Sequence, residues 1–127
     1  MKEIVVLSGK GGTGKTSLTA ALALVAGKEL VVAEPTVSSL HDLRRLYDVI
    51  RGFGIPIGAV INKSDLNPQV ADELKSFFRD HAIDLLTTIP YDEQISGALS
   101  EGKTMAEINP HYFASIGKIW WNLCKIL

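Results

Sequence analysis

A glycine-rich stretch near the start of the chain carries residue types that can bind phosphate. Residues 9–16 read G-K-G-G-T-G-K-T, which fits the pattern G-x-x-x-x-G-K-[ST]. The stretch follows the apolar run Ile4–Leu7, typical of a buried strand, and leads into the helix-favouring segment Lys15–Ala26. Glycines let the backbone bend until several N–H groups converge on one anion, and the start of the next helix adds further donors. The stretch therefore predicts a phosphate-binding loop.

Each residue type in this loop suits one part of a nucleoside triphosphate and its magnesium ion. We expect the Lys15 amine to reach the β- and γ-phosphates, and the Thr16 hydroxyl to ligate Mg²⁺. Ser17 would add a contact to the α-phosphate. The loop residues expected to surround the phosphates are Gly11, Gly12, Thr13 and Gly14. A glycine-rich turn without a ligand is the alternative, but it would leave Lys15 without a packing role.

Composition limits the classes of protein to which the chain can belong. Its 127 residues suit one domain, 1–127, and the net charge of -1 gives no basic field for nucleic acid or an anionic membrane. The single cysteine, Cys124, excludes an intramolecular disulfide framework and a cysteine-only zinc or iron–sulfur site. No apolar segment is long enough for a signal peptide or a membrane span. We therefore expect a cytoplasmic protein.

Apolar runs alternate with amphipathic segments along the whole chain. The predicted strands are Ile4–Leu7, Leu30–Ala33, Ile57–Ile61 and Ile83–Ile89. The predicted helices are Lys15–Ala26, one capped by Ser38 or Ser39, one opened by Asn67-Pro68, a short one from Asp92 to Leu99, and a last one after Asn109-Pro110. Alternation of this kind predicts an α/β fold, with a parallel sheet of about four strands flanked by helices.

The last helix is expected to bury one apolar stripe. Its members are Tyr112, Phe113, Ile116, Ile119, Trp120, Leu123 and Leu127, with Cys124 as an inert core thiol. Trp121, next to Trp120, must point elsewhere. Because only Lys118 and Lys125 are basic near this end, we do not expect the helix to bind membranes.

Two strand ends carry patterns that allow more than one interpretation. Residues 62–65 read N-K-S-D and fit N-K-x-D, whose aspartate accepts two hydrogen bonds from guanine in GTPases. Residues 30–34 are four apolar residues followed by an acid, so Glu34 could hold Mg²⁺ through a water molecule. Alternatively, Glu34 simply ends a strand before Pro35.

Residues 10–16, K-G-G-T-G-K-T, closely resemble the deviant Walker A loop of the MinD/ParA class of P-loop ATPases. Three later segments, residues 34–43, 60–67 and 89–92, resemble the second half of MinD-like ATPases that carry an inserted ferredoxin domain. The resemblance implies a shortened P-loop NTPase-like fold that binds ATP and Mg²⁺. Since the relatives with these later segments are ATPases, it also favours ATP over GTP.

The resemblance implies roles for individual residues. Lys10 would be the signature lysine, which reaches the partner's phosphates in a nucleotide-sandwich homodimer, so Lys10 and Lys15 are the candidate catalytic residues. Asn62 would contact the base. Pro90 and Asp92 would lie in the loop that closes over the base and the ribose.

The chain departs from these relatives between its second strand and residue 34. The relatives carry there an aspartate-rich first switch, a D-x-P-P-G second switch and the cysteine-rich insert, whereas here Ala33 runs directly into Glu34. The resemblance therefore implies nucleotide binding with weak or absent hydrolysis, and no iron–sulfur cluster. An ATPase that lacks its switches, a non-catalytic assembly module and a GTP-binding protein all remain open.

Loss of these segments also has a consequence for assembly. In the relatives the missing strands flank the strand before the phosphate loop, so Ile4–Leu7 would become a sheet edge. An apolar edge tends to pair with another chain. We therefore expect a homodimer or another protein partner. The net charge of -1, by contrast, is the reason that we expect no nucleic-acid partner.

Overall fold

The computed structural model describes residues 15–126, and for residues 15–20, 123 and 126 it describes the backbone alone. The helices are α1 (Lys15–Ala26), α2 (Val37–Ile50), α3 (Pro68–Asp80), α4 (Gln94–Ser100), α5 (Met105–Ile108) and α6 (Pro110–Ile126), with a 3₁₀ turn at Arg51–Phe53. The strands are β1 (Glu29–Ala33), β2 (Ile57–Asn62) and β3 (Asp84–Ile89). The predicted α/β class is confirmed.

The three described strands form one parallel sheet in the order β1-β2-β3. Ala59 of β2 lies opposite Val31 of β1 and Leu85 of β3, and the β2–β3 register shifts between Ala59 and Val60. The remaining predicted strand, Ile4–Leu7, which is the first in chain order, lies outside the described residues. The sheet is thus parallel and covered by helices, as expected for a shortened P-loop NTPase-like fold.

The core lies between the sheet and the first three helices. Alternate residues of β1 and β2 point into it, whereas Val32 of β1 remains 44% exposed. Its buried members are Ala23, Val31, Ala33, Leu40, Leu43, Ile50, Ile57, Ala59, Ile61, Leu74, Phe78 and Ile83. Because β2 is the central described strand, its residues from Ile57 to Ile61 are all buried.

Local capping chemistry sets most of the helix starts. Asn67 accepts the Val70 N–H at 3.2 Å and Asn109 accepts the Tyr112 N–H at 3.2 Å, so both predicted asparagine–proline starts are correct. The short helix also starts near its predicted residue, since Asp92 accepts the Gln94 N–H at 2.9 Å.

The predicted cap of α2 is wrong. Thr36, and neither Ser38 nor Ser39, is the N-cap residue, and its hydroxyl accepts the Ser39 N–H at 3.0 Å. Ser39 turns back instead, and its Oγ accepts the Glu34 N–H at 3.1 Å. Thr36 takes the extended conformation that a cap requires, with φ -127 and ψ 153, so the helix begins before the serines.

Helix α5 was not predicted, although the sequence carries a signal for it. Thr104 and Glu107 form a capping box, in which the Glu107 carboxylate accepts the Thr104 N–H at 2.7 Å. The T-x-x-E spacing of these two residues is the known signature of that motif.

The predicted core stripe of α6 is only partly correct. Phe113 is 65% exposed and Trp120 is 54% exposed, and Cys124 is exposed and therefore not a core thiol. Helix α6 lies against β3, where Ile116 and Ile119 are half-buried. Since β3 is the outer described strand on this side, it offers too little surface to cover a wide apolar stripe. Among residues 15–126, no helix is long and apolar enough to cross a membrane.

Candidate functional site

The carboxyl ends of the three strands bring the predicted base-binding residues to one edge of the sheet. Asn62 ends β2 and lies opposite Ile89, the last residue of β3, and Pro90 follows directly. Glu34 follows β1, whose last residue, Ala33, pairs with Ile61. This edge is where ligands bind in open parallel α/β sheets. The structure therefore brings Glu34, Asn62 and Pro90 to the same side of the molecule.

Glu34 and Lys63 connect the ends of β1 and β2. The Glu34 Oε1 and the Lys63 Nζ are 3.2 Å apart, and both side chains are partly exposed. Sequence reasoning named Glu34 as a metal candidate or a strand end and missed Lys63 as its partner, because the two residues are far apart in the chain. The ion pair occupies one carboxylate oxygen of Glu34.

Lys63 holds an unusual backbone conformation at the end of β2. Its φ of 51 lies in the left-handed region, which is uncommon for residues other than glycine. Its backbone N–H donates to the Asn62 Oδ1 at 3.0 Å. The half-buried Asn62 amide is thereby held by the turn that follows it.

The loop after β2 is bonded to the loop after β3. The Ser64 N–H donates to the Ile89 carbonyl at 2.9 Å, and the Tyr91 N–H donates to the Asp65 Oδ1 at 2.8 Å. These bonds continue the contact between the two strands beyond the end of the sheet. Sequence reasoning missed the second bond, because nothing local relates Asp65 to a residue 26 positions away.

Pro90 and Asp92 differ in what they offer to a ligand. Pro90 is exposed and has no N–H, so it presents only its ring and its carbonyl. Asp92 is half-buried, and its Oδ1 accepts the Gln94 N–H while its carbonyl accepts the Ile95 N–H at 3.2 Å. One carboxylate oxygen of Asp92 thus stabilises the start of α4.

Helix α1 begins at Lys15, so Lys15, Thr16 and Ser17 form its first turn, as the motif requires. Their side chains, and Lys10, Gly11, Gly12, Thr13 and Gly14 entirely, lie outside the described residues.

The course of the chain determines where α1 starts relative to the sheet. Only Gly27 and Lys28 separate α1 from β1, and Gly27 ends the helix with φ 73. Ala23 lies in the same buried cluster as Val31 and Ala33, so α1 runs back along β1. Twelve helical residues span ~18 Å and five strand residues ~16 Å. The start of α1 therefore lies at the same end of the molecule as Glu34.

A buried acid lies at the opposite end of β1. Glu29 is 8% exposed, and desolvation by burial raises the pKa of its carboxyl to about 7. It begins β1, so it is far from the carboxyl edge and does not belong to the candidate site.

Together, the parallel sheet, the helix that starts at the lysine of the G-x-x-x-x-G-K-[ST] motif and the polar edge are the features of a nucleotide-binding protein of the P-loop class. A family model described as the CobQ/CobB/MinD/ParA nucleotide binding domain matches residues 4–105. The chain belongs to this family. The match includes the phosphate loop and all three described strands, whereas α6 lies beyond it. No curated protein and no solved structure matches the chain.

Proposed function

We propose that this protein binds ATP with Mg²⁺ at the carboxyl edge of its sheet and hydrolyses it weakly or not at all. The observation that carries the proposal is the common location of three features. The first turn of α1, the end of β2 and the loop after β3 all lie at one end of the molecule. A nucleotide needs its phosphates and its base held at about the same level of a sheet, and this arrangement offers both.

The phosphate half of the proposed site is the glycine-rich loop and the start of α1. Gly11, Gly12, Thr13 and Gly14 offer backbone N–H groups to the phosphates. Lys15 neutralises the terminal phosphates, and Ser17 contacts the α-phosphate. The free N–H groups of the first helical turn and the helix dipole add to this attraction.

We propose that Mg²⁺ is held mainly by the phosphate oxygens of the nucleotide, with few protein ligands. Magnesium usually keeps several waters and takes one or two protein ligands together with phosphate oxygens. Thr16 is the proposed direct ligand, and Glu34 holds a metal-bound water.

The base half of the proposed site consists of Asn62, Pro90 and Asp92. The Asn62 Oδ1 accepts the Lys63 N–H, which holds the side chain beside the strand end, and the amide Nδ2 is the group proposed to contact the base. The Pro90 ring and the turn before α4 cover the base and the ribose.

Weak hydrolysis follows from residues that the chain lacks. Phosphoryl transfer needs a positioned water molecule and a positioned metal ion. The MinD/ParA relatives supply these from switch segments, and here Ala33 is followed directly by Glu34 and Pro35. We therefore propose that the protein acts through nucleotide binding and not through ATP turnover. We also propose that residues 1–127 form one nucleotide-binding domain and that the protein is cytoplasmic.

A second candidate function is a non-catalytic assembly module that forms a homodimer. Exposed apolar side chains favour it: Phe113, Trp120 and Trp121 on α6, and Val32 on β1. The three aromatic residues lie on α6 beside β3, whereas Val32 lies on β1 at the other edge of the described sheet, and large exposed apolar side chains on one element favour a protein interaction site there. Lys10 would then reach the phosphates bound by the other copy.

Calorimetric titration with ATP, ADP and GTP, each with Mg²⁺, tests the proposal. We expect ATP to bind, and Lys15→Ala to weaken binding at least ~100-fold, since hydrogen bonds to charged phosphates are strong and several are lost together. Lys75→Ala is the matched control, because Lys75 is an exposed helical lysine on α3. Phosphate release then shows whether any hydrolysis remains: slow turnover that Lys15→Ala abolishes identifies a weak ATPase. Sedimentation with and without ATP separates the two candidates, because only the assembly module requires a homodimer.

A further inference from the structure

Two hydrogen bonds join the N-K-x-D segment to the loop after β3, and reading a base does not require either of them. Asp65 accepts the Tyr91 N–H at 2.8 Å, and the adjacent Ser64 N–H donates to Ile89. Both bonds cross from the loop after β2 to the loop after β3. Asp65 itself is exposed, so the bond is not a consequence of burial.

Guanine recognition would need both Asp65 carboxylate oxygens to face the base. An aspartate reads guanine by accepting hydrogen bonds from the ring N1–H and the exocyclic amino group, one on each oxygen. Here Oδ1 already accepts the Tyr91 N–H, and the carboxylate is turned toward the β3 loop. To receive guanine, Asp65 would have to share this oxygen or release Tyr91.

The other two fixed residues of the motif also contact the protein. The Lys63 ammonium lies 3.2 Å from the Glu34 carboxylate, across the end of β1. The Asn62 Oδ1 accepts the Lys63 N–H. All three fixed side chains of N-K-x-D thus stabilise the carboxyl edge of the sheet.

We propose that Asp65 is a positioning residue that holds the Tyr91–Asp92 turn in place as one wall of the nucleotide site. Because its carboxylate is used in this way, the site has no preference for guanine. This inference rests on the proposed function, since it concerns the base half of the same site.

The turn after β3 depends on this bond because it has few others. Pro90 has no N–H, so Tyr91 supplies the first backbone donor after the strand. Tyr91 is 47% exposed, so packing covers only about half of its surface. Asp92 follows directly and starts α4 through its bond to Gln94. Loss of the Asp65 contact would therefore loosen the segment between Ile89 and Asp92.

Amide hydrogen exchange, measured by NMR without nucleotide, tests the positioning role. We expect Asp65→Ala to speed exchange of the Tyr91 amide by about tenfold or more, which corresponds to the loss of one charge-assisted hydrogen bond. Asp65→Asn keeps an acceptor at Oδ1 and should largely restore protection. Asp72→Ala on α3, which removes an equally exposed aspartate, is the control. Unchanged Tyr91 exchange in Asp65→Ala would overturn the positioning role.

Binding selectivity tests the second part of the inference. The ligands are ATP, GTP, xanthosine triphosphate and inorganic tripolyphosphate. We expect Asp65→Ala to weaken ATP and GTP alike by about tenfold, and Asp65→Asn to stay within about threefold of the wild type. Tripolyphosphate should bind both variants as it binds the wild type, since the phosphate loop is separate.

A base-reading aspartate would behave differently. Xanthine carries a carbonyl where guanine carries an amino group, so Asp65→Asn would then lose GTP and gain xanthosine triphosphate. That exchange of preference would overturn the inference while leaving nucleotide binding intact. If the wild type binds none of the four ligands, the proposed function and the selectivity claim fail together. Tyr91 exchange then decides the positioning role alone.

Discussion

The Glu34 carboxylate and the Lys63 ammonium meet at 3.2 Å and join the carboxyl ends of β1 and β2. The pair lies at the edge where we propose that the nucleotide binds, and Glu34 is the proposed holder of a metal-bound water. Both side chains are more than one-third exposed, so the pair contributes only about 0–1 kcal/mol to stability. The pair matters for binding because Lys63 and a hydrated magnesium ion would compete for the same Glu34 carboxylate.

Glu34→Gln should separate these two roles. We expect it to weaken binding of ATP with Mg²⁺ about three- to tenfold, and to leave binding of ATP with a chelator unchanged, because the neutral amide attracts a hydrated cation poorly. Calorimetry under both conditions measures the difference. Glu101→Gln, which changes an exposed glutamate beyond α4, is the control. An equal loss with and without Mg²⁺ would rule out the metal role of Glu34.

Ala82→Gly should stabilise the protein. Ala82 has a φ of 56 in the exposed turn before β3, where a Cβ is unfavourable and glycine is not. Glycine removes the energetic cost of the left-handed conformation, but it also makes the unfolded chain more flexible, which opposes folding. The balance predicts a gain of about 0.5–1 kcal/mol in the free energy of unfolding. Urea denaturation measures it. Ala114→Gly, an exposed position inside α6, should instead cost about 1 kcal/mol. Destabilisation by both changes would contradict the prediction.

Stability should fall as pH rises from about 5 to about 8. Burial raises the pKa of Glu29 to about 7 in the folded protein, from an ordinary value of 4.5. The folded state therefore binds this proton more tightly than the unfolded state. The contribution of the neutral carboxyl is full below pH 4.5 and is lost as pH rises through 7, with a total of about 3 kcal/mol.

Glu29→Gln isolates this effect, because glutamine does not titrate. We expect the variant to lose most of the decline in unfolding free energy between pH 5 and pH 8, measured by urea denaturation. Glu73→Gln, on the exposed side of α3, should retain the decline seen in the wild type. A decline that persists in full in Glu29→Gln would assign it to another group.

The exposed aromatic residues of α6 should promote self-association. Trp120→Gln together with Phe113→Ser should lower the sedimentation-derived association constant by at least about tenfold, because both side chains are more than half exposed. The unfolding free energy should fall by only a few kcal/mol at most, because each side chain keeps more than half of its surface in solvent. Ile116→Ser, on the half-buried side of α6, is the contrasting variant and should destabilise the fold instead. Unchanged association in the double variant would exclude Phe113 and Trp120 as the contact surface.

Features that depend on neighbouring residues could be predicted from the sequence. The asparagine–proline pairs at residues 67 and 109 start helices because a cap acts over three residues. The same local rule failed at α2, where three hydroxyl residues compete. Thr36 became the cap, since Ser39 reaches back to Glu34. Local chemistry names the candidates for a cap, and the path of the preceding chain selects one of them.

Features that depend on distant residues could not be predicted. Asp65 and Tyr91 are 26 positions apart, and they meet only because β2 and β3 pair in one register. Likewise, periodicity placed the apolar residues of α6 on one stripe of the helix. Whether Phe113 and Trp120 are covered, however, depends on how much of the sheet lies beside them. Periodicity within one helix does not contain that information.

By itself, the sequence determined the α/β class, the start of a helix at the lysine of the phosphate-binding motif and the polar residues that follow the described strands. These depend on composition and on spacing along the chain, which local physics converts directly into helices, strands and turns. Only the tertiary structure decided that Glu34 binds Lys63, that Asp65 bonds to the loop of Tyr91, and that α6 leaves Phe113, Trp120 and Trp121 exposed. Such contacts arise from sheet register and shared surface, and these exist only after separate segments have packed together.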